Sequence, residues 1–387
     1  ANRGSKAPVR AEGSLKYKDR LSISGVMKGI GEKVSFRYDS QQLKVDASKL
    51  FVEKILALTA NPIYAKGTMD AKVDFTRLDP NEGHFEIKAD NLITDPNEMK
   101  KLTGEEMQTT IALQSSGTFK EGVGNIDTEM KSALANISLR DMVYDTNTKR
   151  IRSSYVLDVP ELQSVQKIID RKLYGPLVLK GEFSQDKLLN LTGSTQTLGG
   201  NIAYTLVGDH LTSTIENVPL ENILGLLGHR KDFLGKAFGK GKYDLKTKSG
   251  VVDLDIQAFQ IKPSSTTQTI KMIIGKDPAR VMFTSTKFHA DIKGKITEYN
   301  LHAVGSHSSI DITEGRVDKS NNTNTAKLKF VYEDYTVYGK IKGSIDDPKV
   351  TVDTSALFQD KIDEKLQNKI EKALGGKAGD LLRNLKF

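Results

Sequence analysis

The chain has no cysteine, so neither a disulfide framework nor a thiolate metal site is available to it. Nor does it contain the roughly 20 consecutive apolar residues that a membrane-spanning helix requires. Catalytic signatures are missing too: there is no Gly-x-Ser-x-Gly elbow and no His-Glu-x-x-His pair. The glycine-rich stretch 235–243 departs from a phosphate-binding loop, because Tyr243 stands where a Ser or Thr hydroxyl would follow Lys242. His289, His302 and His307 fall near Asp291 and Glu298 in the sequence. His302 and His307, however, are five residues apart and would face opposite ways on one regular strand, so they read as exposed polar residues. The basic clusters at 149–152 and 240–242 are short and lack the interleaved aromatics of a single-strand binder. The expectation is a protein with no catalytic residue, metal, cofactor or nucleic-acid partner.

What is present is diffuse charge and alternation. Against 49 Asp and Glu stand 57 Lys and Arg, a net charge of +8 spread along the chain and not gathered in a stripe, which favours loose attraction to anionic surfaces without specifying one. The apolar share is 37 %, low for a compact core of this length, and strands with one wet face account for that because they need apolar residues only at alternate positions. The first twelve residues are polar and bear Gly and Pro, and the chain begins with Ala1 rather than Met, which reads as the outer side of a removed signal, anchor or tag.

Period-2 alternation runs through most of the chain. The clearest case is Ile63, Ala65, Gly67, Met69, Ala71, Val73 and Phe75 on one face, with Tyr64, Lys66, Thr68, Asp70, Lys72 and Asp74 on the other. Similar patterns predict strands through 85–89, 109–113, 126–134, 151–157, 177–183, 202–206, 252–256, 270–274, 288–296, 301–305, 310–312 and 326–332. Helical spacing appears at 47–60, 159–173 and 218–227. Asp-Pro recurs at residues 79, 95, 277 and 347, where turns are expected, and no exact-period repeat is evident. Glycines on apolar faces (Gly67, Gly181, Gly294, Gly339, Gly343) leave inner room and tolerate the bending of a strongly curved sheet. About twenty strands at ~4.8 Å spacing would form a ribbon on the order of 100 Å long.

The C-terminal fifty residues organise the reading. A strand at 335–345 is broken at Asp347-Pro348 and answered by a second at 349–353, a hairpin. A helix follows with Phe358, Ile362, Leu366 and Ile370 on one stripe, stopped by Gly375 and Gly376, and then an apolar tail with Leu381, Leu382 and Phe387. The arrangement Gly343-x-Ile345-x-Asp347-Pro348-x-Val350-x-Val352-Asp353, then a Lys-rich amphipathic helix, Gly375-x-x-x-Gly379 and a Leu-Leu ending, resembles the C-terminus of bacterial AsmA-family (AsmA/TamB-like) envelope proteins. The block 215–227 followed by 233–245 is similar to the family's strand, short helix, glycine-bearing loop and returning strand.

That resemblance implies a mainly β protein, an elongated and strongly curved antiparallel sheet forming a groove, with a few short flanking helices and a C-terminal amphipathic helix. The divisions expected are a flexible segment 1–13, a β-groove 14–353 and a helical cap 354–387. It implies a periplasmic protein that carries phospholipid acyl chains between inner and outer membranes, tethered to the inner membrane by an N-terminal segment missing from this chain. The groove would be lined by Ile63, Met69, Val73, Phe75, Leu177, Leu179, Phe183, Ile202, Tyr204, Leu206, Leu254, Ile256, Ile270, Met272, Ile274, Ile292, Ile296, Leu328, Phe330, Val337, Ile341 and Ile345. Phe358, Ile362, Leu366, Ile370, Leu381, Leu382 and Phe387 would dock a membrane surface or an envelope partner protein, or plug one end of the sheet. Composition alone favours the alternative, a scaffold for outer-membrane biogenesis whose alternating strands close on a filled core and hold no ligand.

Overall fold

The computed structural model of the chain describes residues 9–18, 20–169 and 172–353. The fold is mainly antiparallel β, and the chain divides into two units, residues 1–197 with 205–208 and residues 198–204 with 209–387. The expected cap, 354–387, lies outside the described residues, and with it Phe358, Ile362, Leu366, Ile370, Leu381, Leu382 and Phe387.

Unit 1 runs β1 (Arg10–Tyr17), β2 (Leu21–Lys28), β3 (Lys33–Asp39), β4 (Gln42–Phe51), α1 (Val52–Leu58), β5 (Ala65–Lys66), β6 (Thr68–Leu78), β7 (Asn81–Thr94), α2 (Pro96–Thr103), β8 (Thr110–Lys120), β9 (Val123–Ser132), β10 (Asn136–Asp145), β11 (Ile151–Val159), α3 (Gln166–Ile169), β12 (Leu177–Gln185) and β13 (Leu189–Thr195). Each strand pairs antiparallel with the next in the chain, except that β4 pairs with β6 while the short β5 pairs with β7. Among the described residues β1 has β2 as its single partner, so the ladder is not a closed barrel. β14 (Asn201–Val207) is shared by the two units.

Unit 2 runs β15 (His210–Pro219), α4 (Leu220–Leu226), β16 (Phe233–Asp244), β17 (Ser249–Ile261), α5 (Ser265–Ile274), β18 (Ser285–Lys293), β19 (Ile296–Val304), β20 (Ser308–Asp318), β21 (Thr323–Tyr332), β22 (Tyr335–Gly343) and β23 (Pro348–Asp353), again each strand beside the next. Such meanders keep one face apolar and one polar along every strand, which is why simple alternation foretold them.

The two units repeat one plan. A strand with an extra residue leads into a short helix: the register slips between Ala47 and Leu50 before α1, and between Ile215 and Val218 before α4. In each slip a non-glycine residue takes the left-handed conformation, Lys49 (φ 48°) and Asn217 (φ 55°), the local strain of a bulge that bends its strand. Two strands later each unit has a second bulge and a second helix, α2 or α5, ended by a left-handed glycine, Gly104 or Gly275. A third bulge follows in β10 and in β20, where Asp141 and Glu314 have φ 51° and 52°. The identities Glu53/Glu221, Ile55/Ile223, Leu56/Leu224, Leu58/Leu226 and Gly67/Gly235 are each 168 positions apart. They are the sequence trace of a repeat that an exact-period search passes over.

Several expected elements are corrected. Residues 47–51 extend β4, and the helix is only α1, because Ala47 and Leu50 are held in the ladder opposite Ala71 and Met69. The thirteen-residue strand breaks at Gly67, whose φ of 137° lies outside strand geometry, leaving Ile63 in the preceding connection. The helix expected at 159–173 is reduced, among the described residues, to a 3-10 turn, Leu162–Val165, and α3. Residues 233–239 belong to β16, which bends at Gly235 (φ 141°), and not to a loop. Most informative is 270–274, which is helix α5 and not strand: Ser264 and Thr267 form a reciprocal capping box at its start, and Ile270 and Ile274, four apart, turn to the same buried side. Gly294 turns the chain (φ 61°), so Ile292 and Ile296 belong to different strands, and Ile345 falls in the turn after β22 ends at Gly343. Of the four Asp-Pro pairs, Asp95 and Asp277 start helical turns, accepting hydrogen bonds from the backbone N–H groups of Asn97 and Glu98 and of Ala279.

Candidate functional site

Residues directly opposite one another on adjacent strands share a face, so cross-strand pairs can be followed as rows across each ladder. In unit 2 one row runs Val218, Ala237, Ile256, Thr286, Ala303, Ile310, Phe330, Val337. None of these eight is more than 4 % exposed. They are covered by Ile270 and Ile274 of α5, Leu220 of α4, and Phe259 and Phe283, whose rings lie 5.8 Å apart. Two residues further along the strands, on the same face, runs a second row: Leu254, Phe288, Leu301, Ile312, Leu328, then Gly339 and Val352. Its six large side chains are only half-buried, and they border the covered core. Ile341 belongs to a third row, between Ala326 and Val350, and Ile292 to a fourth, opposite Gly250 and Thr297.

Unit 1 presents the same rows with less cover. Leu113, Met130, Ile137, Leu157 and Leu179 form a continuous half-buried line beyond the buried Ala89. Two rows away, past Ile87, Ser115 and Thr128, Phe36, Val45, Val73, Phe85, Gly117 and Ile126 form another. Inner room is expected at Gly67 and Gly181, but there a Cβ would meet backbone, the carbonyls of Asn91 and Thr192; at two further glycines aromatic rings fill the space, Phe119 at 2.6 Å from a Cβ on Gly124 and Phe85 at 2.8 Å from one on Gly117. The rings of Phe75 and Phe119 lie 5.5 Å apart, tilted by 45° to each other. Among the hydroxyls on this apolar face, Ser115 and Thr128 stand opposite and bond each other at 2.9 Å.

Of the residues expected to line a groove, Met69, Val73, Phe75, Leu177, Leu179, Phe183, Leu254, Ile292, Leu328 and Ile341 are half-buried members of these strand faces. Ile202, Tyr204 and Leu206 alternate on β14, also half-buried. Ile256, Phe330 and Val337 lie in the covered row and form core. Ile270 and Ile274 cover that row from α5 and do not line a floor, while Met272 points away, 54 % exposed. Ile296 pairs with Lys293 and Asp318, on the polar face. Ile63 and Ile345 sit in connections. Not among the expected lining residues are Phe288, Leu301, Ile312 and Val352, although their alternation with Lys287, His302, Asp311 and Thr351 is plain in the sequence.

The opposite face is polar and self-neutralising. His289 is held between Asp253 (2.7 Å) and Asp291 (3.2 Å), and these carboxylates, Asp253 foremost, raise its pKa above the ordinary 6.5. His302 bonds Asp311, and His307 lies in the turn before β20, so the three histidines do not converge. Lys240, Asp255, Lys287 and Asn300 complete a shallow depression of about 580 Å³ there. Among the described residues no group of three or more His, Asp or Glu is arranged to hold a metal ion, and no helix is long and apolar enough to cross a membrane. Compared with models of known protein families, with curated proteins and with solved structures, the chain matches none.

Proposed function

We propose that this chain binds and transfers lipid, holding the acyl chains of phospholipid along the apolar faces of its sheets while the polar faces remain in water. The observation that carries this reading is the row Leu254, Phe288, Leu301, Ile312, Leu328 and Val352, large apolar side chains only half-buried on six of seven successive strands, with Gly339 on the seventh. A contiguous apolar surface of this kind marks a binding surface more often than solvated protein. An alkyl chain laid on it would gain about 0.8 kcal/mol for each methylene removed from water. The resemblance of residues 343–353 and 215–245 to AsmA-family proteins supports the same reading, and with it a place in the bacterial periplasm, between inner and outer membranes, as a non-enzymatic carrier tethered to the inner membrane. The net charge of +8 favours contact with anionic membrane surfaces.

The filled-core scaffold draws its support from the covered row of unit 2, and it predicts no bound lipid. Transfer of a fluorescent phospholipid between vesicles separates the two. Phe288→Asp, on the half-buried row, is expected to reduce transfer at least tenfold, and Lys287→Asp, one residue away on the polar face, to leave it within twofold. Equal rates for the two variants, or no transfer by the wild type, would sink the proposal.

A further inference from the structure

Thr286 sits in the middle of the covered row of unit 2, between Ile256 and Ala303, and is 1 % exposed. Among the described residues its Oγ1 is the one buried side-chain polar atom without a hydrogen-bond partner. A buried, unpaired hydroxyl costs about 1–3 kcal/mol, and valine of the same shape would avoid that penalty. Following the repeated plan of the two units, the row Leu50, Met69, Ala89, Leu113, Met130 of unit 1 corresponds to Val218, Ala237, Ile256, Thr286, Ala303 of unit 2, so Leu113 occupies the place of Thr286. Hydroxyls that enter the apolar face of unit 1 are satisfied: Ser115 and Thr128 bond each other, Ser132 donates to the Ala135 carbonyl and Ser153 to that of Arg140. Thr286 thus carries a hydrogen-bonding group that neither its own unit satisfies nor the other unit needs.

The surroundings define what would satisfy it. Two residues along the same strand and face is Phe288, in the half-buried row, so the proposed lipid surface adjoins Thr286. Ile270 and Ile274 of α5 belong to the same core cluster as Ile256 and Ala303, which flank Thr286, and α5 ends at the left-handed Gly275 with Lys271 and Met272 outward in solvent. The covering side chains named in this core are hydrocarbon, so an ionised group would be desolvated there without compensation, whereas a neutral acceptor would not. We infer that the Thr286 hydroxyl donates a hydrogen bond to an acyl-ester carbonyl of a lipid that enters from the Phe288 row as α5 gives way. This rests on the proposed lipid function and specifies the bond by which the site distinguishes an ester-linked chain from bare hydrocarbon.

The test compares binding of ester-linked dioleoyl phosphatidylcholine with its ether-linked analogue, which has the same chains and headgroup but no carbonyls. Wild type is expected to bind the ester lipid about three- to tenfold more tightly, the range that one net hydrogen bond supports. Thr286→Val should abolish that preference by weakening the ester lipid alone, at unchanged or higher melting temperature, and Thr286→Ser should keep it. Wild type that binds both lipids equally, or a Thr286→Val protein that retains the preference, overturns the assignment while leaving lipid binding intact. Binding of neither lipid by the wild type would overturn both.

Discussion

Units 1 and 2 share strand order, bulges and helix positions, yet the same row of inward side chains is covered in one and half-open in the other. The helices make the difference. α5 sends Ile270 and Ile274 into the row beneath it, whereas α2, with Asn97, Glu98, Lys100 and Lys101 along its length, buries none of its residues. A repeated backbone therefore does not fix whether an apolar sheet face becomes core or surface; a few side chains decide it, here two isoleucines of a ten-residue helix together with Phe259 and Phe283. Each buried isoleucine contributes roughly 1.5–3 kcal/mol by leaving water, enough to fasten the helix and convert floor into interior.

The contrast can be broken most forcefully at those side chains. Ile270→Ala should destabilise unit 2 by about 2–5 kcal/mol in denaturant unfolding, the usual loss for a large-to-small change in a core. Leu102→Ala on α2, where the residue is 60 % exposed, should stay within about 0.5 kcal/mol; equal losses would mean that α2 covers its sheet after all. Next in size is the cap of α5. Ser264→Ala removes one half of the reciprocal pair with Thr267 and should lose about 0.5–2 kcal/mol, seen as faster amide exchange confined to α5.

A smaller effect sharpens the comparison of hydroxyls. Thr128→Val strands the Ser115 hydroxyl and should destabilise unit 1 by about 1 kcal/mol, while the double change with Ser115→Ala recovers part of it; additive losses would show that the pair is not coupled. The smallest expected effect is on the polar face of unit 2. Because Asp253 and Asp291 raise the pKa of His289, its contribution is present in full below the ordinary value of 6.5 and is lost as pH rises through the higher folded value. Being exposed, the pair should amount to less than about 1 kcal/mol. His289→Asn should remove that part of the fall in melting temperature between pH 6 and 8, and an unchanged slope would discount it.

Much of this architecture was legible in the sequence, for a physical reason. Successive strands pair with each other, so a residue's face is set by local alternation alone, and Met69, Val73 and Phe75 or Leu254 and Leu328 could be placed by counting in twos. What was hidden depended on single departures from that period. The bulges at Lys49, Asn217 and Glu314 insert one residue without any compositional signal, since none of the three is glycine. Residues 270–274 carry three β-branched isoleucines in five positions, which mimics a strand, while the capping signal at Ser264 and Thr267 lies upstream of them. Ile296 fell on the wrong face because the turn at Gly294 is short enough to resemble continued alternation. Thr286 could not be singled out at all, because its significance lies in the missing partner and not in the residue type.

The central claim is that the half-exposed apolar rows are occupied by lipid in the functional protein. Native mass spectrometry of the chain produced in bacteria and extracted gently addresses it most directly. The account predicts protein carrying added masses of phospholipid, reduced in the Phe288→Asp variant. A single species at the bare protein mass of 42.7 kDa under the same gentle conditions would contradict it.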